Sequence, residues 1–353
     1  MTPASLKVAI LYDQWDDGAE EPTAPEEEAP RPRRKGKKRR IKVRRPKLDR
    51  EEIHEALGKL GHDPSYIIVD GEDPSLLQVA KARADLIFNL TESYAGDDTK
   101  DMNIAAYLDL LDLPYTGAGP HGLYLAQNKA LAKKIFHFHD IRTPFFAVSY
   151  KGQLAHAHDI AFPLIVKPLS EDGSIGISVD SVVTSVKDLM ERIHYIQDTF
   201  DSPALIEEYI EGREIYASVL GNEKPEGLPL VELDLSNLPE GTPKIAGTEV
   251  KWEKDTDAYR RTRSRLAENL DDDTAEQLKN TAIAAYQALK LRDYGRIDLR
   301  LTPPPEGRIF VIEANPNPWL SSGAEFMMAA KKSGRSYAET IQAIVDLALA
   351  RYA

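Results

Sequence analysis

No cysteine occurs anywhere in the chain. Disulfides, thiolate catalysis and cysteine metal centres are thereby excluded, and a reducing compartment, the cytoplasm, is the expected location. Long apolar runs are missing too: no window approaches the length of a membrane-spanning helix, so membrane insertion is not expected. The opening residues, MTPASLKVAILYDQWDD, lack a basic start and a small-residue cleavage site and run straight into acids, so no signal peptide is expected. Net positive charge is also lacking. At −12 overall, the body of the protein would repel a polyanion, which argues against nonspecific nucleic-acid binding.

What is present is a chain of 353 residues, 42% hydrophobic and 29% charged, long enough for two or three globular domains. Residues 14 to 47 pass from an acidic, proline-bearing stretch into RPRRKGKKRRIKVRRPK, a composition that cannot pack a core. This segment reads as an arm for nucleic acid or an acidic partner, or as a solvated, partly self-neutralising disordered insertion; blocks of like charge favour the second. No repeat of solenoid period occurs.

Periodicity predicts alternating strands and helices. LKVAILYD reads as the first strand, and LDREEIHEALGKLGHD places Ile53, Leu57 and Leu60 on one helical face before Gly61. YIIVD and LIFNL follow as strands, MNIAAYLDLLDL as a helix, giving an open α/β domain over residues 1–127. NKALAKKIFHFHDI is predicted as an amphipathic helix with Leu131, Ile135 and Phe138 on its apolar face. A second α/β unit takes FPLIVKPL, ALIEEYI and EIYASVL as strands around the helix KDLMERIHYIQDTF, and the rest carries RIDLRL and IFVIEANP between two long helices.

Chemistry concentrates in four places. RIDLRL and IFVIEANP are separated by TPPPEGR, a turn composition that favours antiparallel pairing. Alternation puts Arg296 with Asp298 on one face and Glu313 with Asn315 on one face, so three oxygen donors and a guanidinium converge. Hard oxygen donors suit magnesium held jointly with phosphates, whereas the alternative is the polar outer face of a hairpin. LSEDGSIGIS offers Gly173, Ser174 and Gly176 in a loop whose amides suit phosphate oxygens. Lys167 and Lys129 are within reach as phosphate cations, though each alone is equally a solvated lysine. ALIEEYIEGREI reads as a buried strand with exposed acids, or as an adenine hinge in which the backbone of Glu208 and Ile210 meets the base and Glu214 the ribose. The histidines of HFH and HAH do not converge and are not expected to bind zinc.

Over roughly residues 85–353 these segments resemble, in order, the ATP-grasp superfamily and within it the D-alanine:D-alanine ligases. LDLPYTGAG resembles the lead into the central domain, QNKALAKKIFHFHDIRTP the first lysine-bearing helix and VKPLSEDGSIGIS the lysine strand with its glycine loop. EEYIEGRE resembles the hinge, TEVKWEKDTDAY the closing loop, and GRIDLRL with EANPNP the metal and catalytic pair. The resemblance implies an α/β (α+β ATP-grasp) architecture: an N-terminal domain 1–127, a central subdomain 128–213 and a C-terminal catalytic subdomain 214–353. It implies ATP and two magnesium ions, with manganese as an alternative. Lys129, Lys167, Gly173, Ser174 and Gly176 would meet the triphosphate; Glu207, Glu208, Tyr209 and Ile210 adenine; Glu214 the ribose. Lys251 would sit near the γ-phosphate, Asp298, Glu313 and Asn315 would ligate magnesium, and Arg296 would be the transition-state cation. The implied reaction joins a carboxylate to an amine through an acyl phosphate, on small amino-acid or peptide substrates, in a homodimer; the alternatives are a nucleotide-binding regulator that no longer catalyses and an ATP-grasp ligase of a specialised peptide or secondary metabolite.

Substrate selection departs from the resemblance. LYDQWDD stands in place of a glycine-serine-glutamate element, and NLTESYAGDDTKD in place of the histidine-glycine stretch, leaving Glu92, Asp97 and Asp98 as candidates. Trp252 replaces a tyrosine or phenylalanine, and NPNPWLSSGAEF replaces a tighter glycine and serine segment. The expected substrates are therefore amino acids or peptides that need not be D-alanine.

Overall fold

Strand alternation organises the first part of the chain. In the computed structural model, which describes residues 5–13, 47–150, 153–155, 161–171, 173–251, 253 and 255–353, β1 (Lys7–Asp13) lies between two parallel neighbours. The charged segment 14–46, Trp252 and the histidines of HAH lie outside the described residues. Val8, Ala9, Ile10 and Leu11 are all buried, as the middle strand of a parallel sheet covered on both faces requires. After α1 (Asp49–Lys59), the chain forms β2 (Asp63–Val69), α2 (Asp73–Ala80) and β3 (Leu86–Asn89), giving the order β2-β1-β3. Ile53 and Leu57 of α1 pack with Val8 and Ile10, and Gly61, at φ +89°, turns the chain from helix to strand.

Three helices lead out of this sheet: α3 (Asp101–Leu110), α4 (Pro120–Gln127), which has proline in its first turn, and α5 (Lys129–Phe138). Asn128 caps α5 by accepting from the Leu131 amide at 3.0 Å. The buried side of α5 follows its apolar spacing only in part, since Ile135 packs against the core but the most deeply buried residues lie on another side. Phe138 is 82% exposed, whereas Lys129, Lys133 and Phe136 are buried. Carboxylates facing this helix compensate the buried lysines, and that compensation outweighs the local hydrophobic pattern.

The next strands are β4 (Phe146–Tyr150), β5 (Gln153–Ala155), β6 (Leu164–Pro168) and β7 (Val182–Val183), followed by α6 (Val186–Phe200) and β8 (Ala204–Glu208). They form an antiparallel sheet of order β5-β4-β8-β6-β7. Val166 and Ile206 face α6, while Leu205 and Leu169 pack with Ala130 of α5. By alternation Lys167 and Glu207 share the α5 side.

The third sheet draws on β9 (Arg213–Leu220), β10 (Glu226–Gly227), β11 (Val231–Asp234), α7 (Thr248–Lys251), α8 (Asp257–Arg261), β12 (Arg263–Leu266), α9 (Asp272–Ala288), β13 (Tyr294–Leu301) and β14 (Ile309–Asn315). Its order is β12-β11-β9-β13-β14, with β10 beside β9. EIYASVL was expected in the second unit, but β9 pairs with β11 and β13 instead. The reason is local: a Cβ at Gly212 would overlap the Leu301 carbonyl oxygen, and glycine lets β9 start flush against the end of β13. Ile215, Ala217, Ile297 and Leu299 pack with Leu278 and Ala282 of α9. On the opposite side Tyr216 and Tyr294 pack with α10 (Glu325–Lys332) and α11 (Tyr337–Ala350).

β13 and β14 form the expected antiparallel hairpin, with Arg296 opposite Asn315 and Asp298 opposite Glu313. The register then shifts, so that Leu299 faces Val311 and Ile312 is the extra, bulged residue. At the root of β13, buried Asp293 adopts φ +64° and accepts from Gly117 N at 2.8 Å, Asn222 Nδ2 at 3.1 Å and Arg351 Nε at 3.0 Å. It joins the turn before α4, the turn after β9 and the residue following α11. No helix among the described residues is long and apolar enough to cross a membrane. Asp293→Ala, which strands the Arg351 charge, should lower unfolding free energy by about 3 kcal/mol in urea titration; an unchanged midpoint would contradict this role.

Candidate active site

The second and third sheets enclose a cleft lined by Lys167, Ser174, Glu207, Glu208, Tyr209, Ile210, Glu214, Lys251, Asp298 and Glu313. These were singled out from the sequence, and they come together from β6, β8, β9, β13, β14 and α7. Lys129, Arg296 and Asn315 join through their partners: Lys129 Nζ lies 2.8 Å from Glu313 Oε1, and Arg296 and Asn315 are register partners. An open concavity over α2, lined by Ile67, Leu77 and Lys81, brings together no comparable groups.

Glu313 sits among cations. Burial alone would raise its carboxyl, but Lys129, Lys167 and Lys251 overcome that and hold it down at about 2. Asp298 behaves differently: burial raises it, against the opposing pull of Arg296 and Lys251. Arg296 donates from Nε to Asp298 Oδ1 at 2.7 Å and from Nη2 to Oδ2 at 3.0 Å, and its guanidinium lies 4.7 Å over the Tyr216 ring. Its Nη1 is 3.5 Å from Glu325 Oε2, too far for a strong hydrogen bond. On the floor, Glu207 Oε1 meets Lys133 at 2.8 Å and Oε2 meets Lys167 at 2.9 Å. Burial would raise the Glu207 carboxyl, yet the two lysines keep it below the usual carboxylate range.

The covering loops touch one another. Gly173, Ser174 and Gly176 all take positive φ, at 63°, 67° and 72°. At Gly176 a Cβ would come within 2.7 Å of Pro168 and 3.0 Å of the Phe200 ring, so a side chain does not fit. Arg192 anchors the loop by donating to Gly176 O at 2.5 Å, and Lys129 donates to Glu171 O at 2.5 Å. Thr248, at the start of α7, donates its amide to Ile177 O at 2.8 Å, which ties the glycine loop to the helix that carries Lys251.

In the hinge, the Glu208 amide donates to Phe145 O at 2.9 Å, so of its backbone pair only the carbonyl is left for a base edge. Glu214 accepts from Arg300 Nη2 at 2.6 Å and from Tyr216 OH at 3.2 Å. Among the loop candidates, Asp97 caps a short turn, accepting from Thr99 N at 3.0 Å, and the Asp98 carbonyl receives Gln127 Nε2 at 2.6 Å. Glu92 instead reaches across 227 residues of chain, accepting from Trp319 Nε1 at 2.5 Å. Asp13, buried at the end of β1, takes Ser93 Oγ at 2.6 Å. His137 and His139 of HFH are exposed.

Residues 137–346 match the family described as D-ala D-ala ligase C-terminus. The chain belongs to the D-alanine–D-alanine ligase family. The D-alanine–D-alanine ligase of Bordetella petrii is 33% identical over 298 residues, covering 83% of this chain and 84% of that one. An uncharacterized protein, y4sG, of Sinorhizobium fredii is 33% identical over 267 residues, 76% and 75% of the two chains. The crystal structure of the Bacillus anthracis D-alanine–D-alanine ligase complexed with ATP has a TM-score of 0.71 at 20% identity, covering 98% of this chain and 97% of that one, and shares the fold. This ligase is accordingly an ATP-dependent enzyme of the carbon–nitrogen bond-forming class, with ATP-grasp architecture and small-molecule substrates.

Sequence reading missed Lys133, Arg300 and Glu325. Each is a charge whose partner lies far along the chain: Glu207 for Lys133, Glu214 for Arg300, and Arg296 for Glu325. Only the i, i+4 spacing of Lys129 and Lys133 marked them as one helical face.

Two carboxylates of the ligase site, Glu313 and Glu207, also contribute to acid stability. The folded value of Glu313, about 2, lies below its reference of 4.5, and Glu207 shifts the same way. Both therefore contribute stability that is fully present above about 4.5 and is lost as pH falls through the folded values. Glu313→Gln should flatten the acid limb of unfolding free energy between about pH 4.5 and pH 2; a limb of unaltered slope would refute the assignment.

Proposed function

We propose that this ligase forms a peptide-type bond between an amino-acid or peptide carboxylate and an amine through an acyl phosphate, releasing ADP and phosphate. The observation that carries the reading is the cross-strand pair Asp298 and Glu313 with Lys129, Lys167 and Lys251 around it. Acids and lysines in this balance suit a polyphosphate with its metal better than either alone. We take residues 1–127, 128–213 and 214–353 as the N-terminal, central and catalytic domains. The lack of cysteine supports the cytoplasm, and a homodimer is proposed on resemblance alone.

The donor set fits magnesium. Asp298 and Glu313 supply carboxylates and Asn315 an amide oxygen, and the Asn315 Nδ2 is buried without a hydrogen-bond partner, so protein contacts do not tether that end. Those three residues would hold magnesium, or manganese in its place, and the ion would neutralise phosphate charge as it develops. Because four cationic side chains stand nearby, the metal is expected to bind with the nucleotide and not before it.

Lys129, Lys167 and Lys251 hold the triphosphate, and the amides around Gly173, Ser174 and Gly176 cover it. Glu207, Glu208, Tyr209 and Ile210 seat adenine, and Glu214 accepts from the ribose. A substrate carboxylate oxygen then attacks the γ-phosphorus, the bond to ADP breaks, and the amine attacks the resulting acyl carbon. Arg296 offers the Nη1 edge to the tetrahedral oxyanion, while Asp298 fixes its orientation. Phosphate leaves, and the amine proton passes to solvent. Closure of the loop bearing Lys251 keeps water from the acyl phosphate.

For the amino-acid subsites, the Glu92–Trp319 bridge and buried Asp13 support a selection different from that of the D-alanine ligases. They lie at the carboxyl ends of β1 and β3, where chain order reverses in an open parallel sheet. Incubation with ATP, magnesium and pooled L- and D-amino acids, with D-alanine separate, should release phosphate together with a condensed product mass. Glu313→Gln should cut the rate by roughly a hundredfold or more. D-Alanine dimer as the single product would overturn the altered selection, and nucleotide binding without turnover would overturn the ligase chemistry. Calorimetry with magnesium alone should give a Kd of about 1 mM or weaker, tightening when ADP is added; tight binding of the bare ion would refute the joint site.

A further inference from the structure

Lys133 is 1% exposed, does not line the cleft, and has no part in the chemistry above. Its ammonium group has three near neighbours: Nζ forms an ion pair with Glu207 Oε1 at 2.8 Å, donates to Thr143 Oγ1 at 2.9 Å and points to Ile312 O at 3.4 Å. Ile312 is the bulged residue immediately before Glu313, and Thr143 in turn donates to Val311 O at 2.9 Å. Lys133 therefore touches the adenine hinge and the bulge that presents Glu313.

The charge count around Glu207 gives this arrangement a function. One carboxylate carries two lysines, Lys133 on Oε1 and Lys167 on Oε2, each at hydrogen-bond distance. Of the two, Lys167 lines the cleft. Without Lys133, Glu207 would be matched one to one by Lys167, and the lysine facing the cleft would belong to a neutral pair. With Lys133 present the triad keeps one positive charge in excess, and the lysine able to meet a ligand is Lys167. A buried cation in low dielectric acts on its neighbours more strongly than a solvated one, so removal of Lys133 is felt at Lys167.

We propose that Lys133 is a positioning residue for nucleotide binding: it offsets Glu207 from below, which leaves the Lys167 ammonium in excess and directed to the phosphates. This deepens the reading that Lys167 meets the triphosphate and rests on it. The effect acts on the anionic part of the ligand and not on the base. Lost packing alone would weaken both ligands alike.

The test is calorimetric binding of a non-hydrolysable ATP analogue with magnesium, and separately of adenosine, to the full chain and its variants. Lys133→Met should weaken the analogue about tenfold and leave adenosine within about twofold. In the Glu207→Gln background, where no carboxylate remains to be offset, adding Lys133→Met should change analogue binding by less than about threefold. Should Lys133→Met fail to fold, Lys133→Gln, which keeps donors for Thr143 and Ile312 O, is expected to show the same split. Lys167→Met separates the two levels of argument. If it binds the analogue as the parent does, the reading of Lys167 falls and the proposal with it. If it loses binding while Lys133→Met does not, the proposal alone is overturned. Equal losses for analogue and adenosine, or an undiminished loss in the Glu207→Gln background, also overturn it.

Discussion

Everything in the site hangs on the burial of lysines against carboxylates where α5 meets the two large sheets. Lys129 faces Glu313 on β14, and Lys133 with Lys167 faces Glu207 on β8. Burying an unpaired lysine or glutamate would cost several kcal/mol, so neither the helix nor the strands can take these positions alone. Each side supplies the condition for the other to be buried. The same pairs hold α5 against β8 of the second sheet and β14 of the third, and they leave Lys167 at the wall of the cleft.

The cleft walls show how backbone geometry carries this charge pattern. Gly212 brings β9 against the end of β13, and Arg300 uses that approach, donating from Nη1 to Gly212 O at 2.9 Å while Nη2 holds Glu214. The bulge at Ile312 changes the register between Leu299 and Asp298, so apolar Val311 faces α9 while Glu313 stands opposite Asp298. A regular ladder could satisfy one of these demands but not both, since side chains alternate strictly along a strand.

Much of this was legible in the chain itself where the signal is local. Alternation in RIDLRL and IFVIEANP, with TPPPEGR between them, was enough to bring Arg296, Asp298, Glu313 and Asn315 to one face, and helical spacing marked Ile53 and Leu57 as core. The failures share a cause. On α5, apolar spacing selected Leu131, Ile135 and Phe138, yet the helix turns its lysines inward because their partners lie on β8 and β14. β9 was grouped with the second unit because a strand says nothing of its neighbours until Gly212 and Leu301 meet. The Glu92–Trp319 contact spans 227 residues and leaves no periodic trace. Long-range compensation of charge is the part of the fold that pattern reading cannot reach.

The Asp293 junction bears on how the chain comes into being. Its carboxylate closes contacts across 176 residues to Gly117, 71 to Asn222 and 58 to Arg351. Partners so distant make assembly slow relative to helix formation, because loop closure must precede the reward. A ribosome that has finished β13 and β14 has not yet made the arginine that neutralises the charge at the root of β13. The middle of the third sheet is thus synthesised before Asp293 has its cation, and a chain that stops short of Arg351 would leave that carboxylate buried without the charge that offsets it.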